Sequence, residues 1–123
     1  MTAVRVLTVD DQDVFLRVAA DVIEATPGFE AVGQAASGAE ALEAVRRLDP
    51  QLVLLDVHMP GLDGVAVAHS LASTHPDTVV VLISVAERDE LPQAALTMDV
   101  LVVRKRDFGP RLLRRLWSDH GRR

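Results

Sequence analysis

The sequence predicts an α/β fold, an open parallel sheet with helices packed on both faces, and three observations carry that prediction. Five short apolar runs alternate with segments whose apolar residues recur at helical spacing. The runs are continuous in Val, Leu and Ile, as at 79–83, rather than alternating with polar residues. That pattern suits strands covered on both sides. Pro, Gly, Asp and Ser punctuate the boundaries, so each run and each helical segment has a chemical reason to stop. Strands separated by helix-length crossovers pair in parallel.

Each element can be justified in order. The first strand is expected over 5–9. The segment after it places Val14, Val18, Val22 and Phe15, Ala19, Ile23 at helical spacing and ends at Thr26-Pro27-Gly28. A second strand is expected over 31–35. Ser37-Gly38-Ala39-Glu40 then resembles a capping box, with Ser37 as N-cap and Glu40 three residues on. Ala41, Leu42, Val45 and Leu48 form the apolar stripe of that second helix, which Asp49-Pro50 ends. The third strand is expected over 52–55. Val65, Val67, Ala68, Leu71 and Ala72 mark the third helix, closed by His75-Pro76-Asp77. The fourth strand covers 79–83. A fourth helix is expected over 90–97, where Pro92 either sits in the first turn or breaks the helix. The fifth strand covers 101–103. The last helix sets Leu112, Leu113, Leu116 and Trp117 on one face and Arg111, Arg114 and Arg115 largely elsewhere.

At 123 residues this is one domain, 1–123, with 118–123 a tail or the start of a linker, and it is long enough to bury a core unaided. Hydrophobic content of 49% and charged content of 25% are ordinary for a globular chain. Without Cys, neither disulfides nor thiolate metal sites are available. No apolar run approaches the roughly 18 residues of a membrane span, and the N-terminus shows no signal-peptide pattern. A cytoplasmic protein is expected. The net charge of −5 is unevenly spread. From Arg104 onward eight basic residues face two acidic ones, a net +6, whereas the preceding residues carry −11. The basic end is either a solvated helix face or a surface for self-association or for a following DNA-binding segment. Membrane contact is not expected of a short basic helix on an acidic body.

The chemistry concentrates at strand ends. The first strand delivers Asp10-Asp11, and the third delivers Asp56 into the turn Val57-His58-Met59-Pro60-Gly61-Leu62-Asp63-Gly64. In an open parallel sheet, ligands sit beyond the carboxyl ends of the strands, at the switch point in strand order. Three carboxylates gathered there cannot all stay ionised at close range unless a cation holds them or a pKa moves. A hard divalent cation with oxygen ligands, Mg²⁺, fits that pocket. Taken singly, each residue has a plainer role: Asp56 could cap its turn, and Asp10 or Asp11 could N-cap the first helix. Gly61 and Gly64 are expected to supply positive-φ turn conformations, Gly64 also letting the third helix begin close by. Ser84 ends the fourth strand. Lys105 is the only Lys among thirteen basic residues, and an ammonium on a flexible stem suits a single oxygen contact better than a guanidinium fork.

Taken together, Val9-Asp10-Asp11, Leu55-Asp56-Val57-His58-Met59-Pro60-Gly61-Leu62-Asp63-Gly64, Ser84 after 79–83 and Lys105 after Val102-Val103-Arg104 resemble a bacterial response-regulator receiver domain over nearly the whole chain. The resemblance implies a flavodoxin-like (βα)5 doubly wound sheet of strand order 2-1-3-4-5. It implies Asp56 as phosphoacceptor, Mg²⁺ bound by Asp11 directly and Asp10 through water, and a backbone carbonyl of His58 on the metal. It gives Ser84 and Lys105 the phosphoryl oxygens. It further implies a two-component signalling module, not a metabolic enzyme, taking its phosphoryl group from a sensor histidine kinase. Homodimerisation through the fourth helix, fifth strand and fifth helix is expected, with DNA reached only through a possible C-terminal helix-turn-helix domain. A stand-alone phosphorelay receiver and a phosphorylation-independent interaction domain are the alternatives. An aspartyl-phosphate phosphatase would instead place its DxD nucleophile after the first strand, where this chain reads Asp10-Asp11-Gln12-Asp13. No GxGxxG turn follows the first strand, which excludes a dinucleotide site. Three features depart from the family pattern. Arg106 stands where many receivers have a cis Pro, the Ser84–Lys105 interval is about one residue short, and Val102 replaces a frequent aromatic.

Overall fold

The computed structural model describes residues 3–85 and 100–121. Five parallel strands form one sheet in the order β2-β1-β3-β4-β5. They are β1 (Val4–Val9), β2 (Phe29–Ala35), β3 (Leu52–Asp56), β4 (Val79–Ser84) and β5 (Leu101–Arg104). The crossovers contain α1 (Asp13–Ala25), α2 (Gly38–Leu48) and α3 (Gly64–Thr74), and the last described helix is α4 (Pro110–His120). The helix expected over 90–97, including Pro92, falls outside the described residues, as does most of the short Ser84–Lys105 interval.

Alternation along the strands divides the core in two. Leu7, Val9, Val53, Leu55 and Leu82 pack against Ala41, Ala44 and Val45 of α2 and Val67, Ala68 and Leu71 of α3. Val6, Leu52, Leu54, Val81 and Ile83 face the opposite way, onto Ile23 of α1 and Leu113 and Leu116 of α4. β3 lies in the middle and is buried along its whole length, which accounts for its unbroken apolar run.

The strands differ from the expected spans in an informative way. β3, β4 and β5 each run one residue further, to Asp56, Ser84 and Arg104, with Asp56 paired to Ile83 and Ser84 to Arg104. The polar residues at the sheet edge therefore belong to the ladder and share its rigidity. β2 starts two residues earlier, at Phe29, and its register against β1 slips between Val6–Ala31 and Leu7–Gly33. At that bulge Glu24 of α1 accepts the Ala31 N–H at 2.8 Å, so the displaced backbone donor keeps a partner.

Boundary chemistry largely follows the sequence. Ser37 accepts the Glu40 N–H at 3.2 Å, while Glu40 reaches the Ala36 N–H at 3.1 Å, one residue before the reciprocal bond of an ideal capping box. Asp49 ends α2 at φ 47°, and Pro110 opens α4 in its first turn. Two helix faces are corrected. On α1 the buried residues are Leu16, Ala19 and Ile23, and Val14 and Val18 are 65% and 48% exposed. Ala72 of α3 also faces solvent. The periodicity of α1 supports two neighbouring stripes, and the packing surface of the sheet takes one of them. On α4 the expected division holds, with Leu113 and Leu116 buried and Arg111, Arg114 and Arg115 exposed.

Candidate functional site

The site is built on the carboxyl ends of β1, β3, β4 and β5. Asp10 follows β1 directly, its N–H bonded to Ala35 O at 3.0 Å, and its side chain is fully buried. One of its oxygens accepts the Gln12 N–H at 2.8 Å. Gln12 is the N-cap residue of α1 and supplies no side-chain cap. Asp10 thus tightens the turn into the helix without occupying the capping position. Asp56 closes β3, and Val57 continues the ladder through an N–H bond to Ile83 O at 3.0 Å.

The turn after Asp56 is held by backbone proximity. Gly64 donates its N–H to Val57 O at 3.1 Å. A Cβ at Gly64 would lie 2.0 Å from Asp56 O, so only glycine lets α3 start against the backbone of the acidic residue. The expected positive φ at Gly64 is corrected: among the described residues of this turn it belongs to Gly61, at 76°. Asp63 then caps α3, accepting the Ala66 N–H at 2.9 Å.

One carboxylate oxygen each from Asp10, Asp11 and Asp56 lies within 4.8 Å of the others. Lys105, at the end of β5, enters this group with Nζ 2.6 Å from Asp10 Oδ2 and 3.9 Å from Asp56 Oδ1. The sheet edge pushes the Asp56 pKa up from 3.8 to about 6. Burial is the largest cause and the charge of Asp10 the next; Lys105 and the His58 backbone N–H oppose them, and Asp11 adds a smaller upward push. His58 is exposed, and its backbone N–H bonds to Asp56. Ser84 is buried at the end of β4, on the neighbouring strand. The donor set is all oxygen, with no Cys or His within it. It fits a hard cation such as Mg²⁺ and not a soft transition metal.

Two residues of the site carried no signal of their own in the sequence. Lys105 Nζ lies 4.7 Å from the centroid of the Phe15 ring. Phe15 packs in turn against Phe108, with ring centroids 6.1 Å apart and planes tilted by 54°. Helical spacing had assigned Phe15 to the apolar side of α1. The chain has only three Phe, and two of them fall within five residues of Asp10 and Lys105. That clustering was the available signal.

Residues 6–116 match the response regulator receiver domain family. The chain belongs to that family. The response regulator GacA of Pseudomonas viridiflava is 41% identical over 93 residues, covering 76% of this chain and 44% of GacA. A protein-glutamate methylesterase/protein-glutamine glutaminase of Myxococcus xanthus is 35% identical over 107 residues, covering 86% of this chain and 30% of the enzyme. The chain thus spans less than half the length of these relatives. Among solved structures, the signal receiver domain of the response regulator NarL from Mycobacterium tuberculosis superposes with a TM-score of 0.85 at 30% identity, covering 97% of this chain and 96% of that domain. The receiver domain therefore occurs in regulators and, in the methylesterases, as a segment of a larger enzyme. Receiver domains as a family bind Mg²⁺ at an acidic pocket, are phosphorylated by histidine kinases and often dimerise. Among the described residues, no helix is long and apolar enough to cross a membrane.

Proposed function

We propose that Asp56 is the phosphoacceptor of this receiver. The observation that carries the reading is convergence. A buried carboxylate on the central strand has two further carboxylates beside it and the sole Lys of the chain 3.9 Å away. A carboxylate is a weak nucleophile in water, and it attacks phosphorus only where the charge on the phosphoryl oxygens is neutralised. At neutral pH a pKa of about 6 leaves Asp56 mostly ionised and competent to attack. With a sensor histidine kinase as donor, an Asp56 oxygen forms the new P–O bond as the P–N bond of phosphohistidine breaks. The leaving imidazole takes its proton from solvent. Lys105 and Ser84 are assigned the phosphoryl oxygens. Lys105 can turn from Asp10 toward the phosphoryl group without leaving the pocket, because both carboxylates are already within 4 Å of its ammonium. Asp11 and Asp56 would hold Mg²⁺ directly, Asp10 through water, and His58 through its carbonyl. When bound, the ion supplies positive charge against the phosphoryl oxygens and the crowded carboxylates.

Acetyl phosphate with Mg²⁺ should add one phosphoryl mass to the wild type. The label should be lost in Asp56→Asn, in chelator and in Asp11→Ala. Undiminished labelling of Asp56→Asn would remove the assignment.

The output we infer is transcriptional, through a helix-turn-helix domain outside these 123 residues; the sequence of the Met59–Gly64 turn supports it. The coding sequence past Arg123 decides this, and a methylesterase segment there would replace the inference. We further infer a homodimer through β5, α4 and the helix expected over 90–97. Support comes from the exposed basic strip Arg111, Arg114 and Arg115. Its expected acidic counterparts, Glu87, Asp89 and Glu90, lie outside the described residues. Sizing by analytical ultracentrifugation is the check.

A further inference from the structure

We propose that Phe15 is a positioning residue for Lys105, holding the ammonium in the acidic pocket by the face of its ring, with Phe108 fixing the ring. The inference rests on the reading of Lys105 as the phosphoryl-contacting cation. It extends that reading to two side chains outside the charged cluster.

The geometry has three parts. Lys105 Nζ lies 4.7 Å from the Phe15 centroid, well inside the roughly 6 Å over which the negative face of a ring attracts a cation. Lys105 is 15% exposed at its side chain, so water screens this attraction only partly. Phe15 is itself braced, since Phe108 meets it at 54° and 6.1 Å, a tilted arrangement that aromatic quadrupoles favour. The brace is tied to the residue it serves. The Phe108 N–H bonds to Lys105 O at 3.1 Å and closes the short 3-10 turn Lys105–Asp107. The same turn therefore aims Lys105 and seats Phe108.

This arrangement answers a problem specific to lysine. Its stem is long and flexible, and the pocket offers two carboxylates at unequal distances, 2.6 and 3.9 Å. A ring face attracts the cation without a directional hydrogen bond. Lys105 can therefore change carboxylate, or move to a phosphoryl oxygen, while remaining over the ring. A hydrogen-bonding neighbour would favour one position.

The sole lysine makes the test direct. With lysine labelled in ¹³C, the ε-methylene protons give one signal, and the ring current of Phe15 should move it upfield of free lysine. The signal should return toward the free position in Phe15→Leu and stay upfield in Phe15→Trp, since Trp is the strongest cation–π partner. In the wild type, a nuclear Overhauser effect should connect those protons with the Phe15 ring, which decides the matter even if a variant folds poorly. Acetyl phosphate labelling should slow about threefold in Phe15→Leu and recover in Phe15→Trp. In a Lys105→Met background, Phe15→Leu should slow it no further. An unmoved lysine signal in Phe15→Leu, or equal slowing with and without the ammonium, would overturn the proposal. Ring-shifted lysine signals in a wild type that never takes label would uphold the seat and reject Asp56 as acceptor.

Discussion

At Asp56, burial and two neighbouring carboxylates raise the pKa to about 6, and the sign of the consequence for stability follows from linkage. A raised carboxyl pKa means that the folded protein holds the proton more tightly than the unfolded chain does. The folded state is therefore unpenalised below the unfolded value of 3.8. It loses stability as pH rises toward 6, and carries the full penalty above that. The shift converts to about 3 kcal/mol at most. In chelator, Asp56→Asn should be more stable than the wild type by about 1–3 kcal/mol at pH 7. The gain should shrink to nothing below pH 4. Urea unfolding of both proteins across that range is the measurement, and a gain independent of pH would show that the pocket is not electrostatically strained. Mg²⁺ should stabilise the wild type and leave Asp56→Asn nearly unchanged.

At the scale of the element, α1 separates what packs from what only looks as though it should. Ile23 is fully buried and Val14 is 65% exposed, although both are β-branched apolar residues at helical spacing. Ile23→Ala should cost about 2–5 kcal/mol, and Val14→Ser should change stability by less than about 0.5 kcal/mol. Thermal or urea unfolding checks the contrast; a large loss in Val14→Ser would mean that its stripe is buried. The same helix shows how far the sequence could be read. The strand runs, the turn after Asp56, the acidic pair and Lys105 were legible because each pairs a local pattern with a strand end. The buried side of α1 was not, since Val14-Phe15-Leu16 offers three adjacent apolar residues and only the sheet decides among them. The bulge in β2 was also hidden, because Ala31-Val32-Gly33 reads equally well in either register. Phe15 and Phe108 stayed silent for a related reason: their role depends on a contact between residues 93 positions apart in a chain of 123.

For the whole molecule, charge segregation is the property that matters beyond the pocket. The basic stretch from Arg104 onward sits on an otherwise acidic chain, and long-range attraction between copies follows from such an arrangement. Exposed ion pairs are individually weak and are screened beyond roughly 10 Å at 0.1 M salt. The inferred homodimer should therefore tighten with beryllofluoride and loosen as ionic strength rises. A sedimentation coefficient that stays monomeric with and without the mimic, at low and high salt, would leave the basic helix as a solvated surface.

The strand order has a kinetic consequence. Every neighbouring pair in the sheet is consecutive along the chain except β1 and β3. The molecule is thus two ribbons, β2-β1 and β3-β4-β5, that must zip along one seam whose closure spans the longest loop. Asp10 and Asp56 lie on opposite sides of that seam, so zipping drives two negative charges together while the chain is still searching. We expect Asp56→Asn to refold faster than the wild type in stopped-flow experiments at neutral pH, with little change in unfolding rate. If the whole difference appears in the unfolding limb, the seam closes after the barrier and the repulsion is met only on the native side.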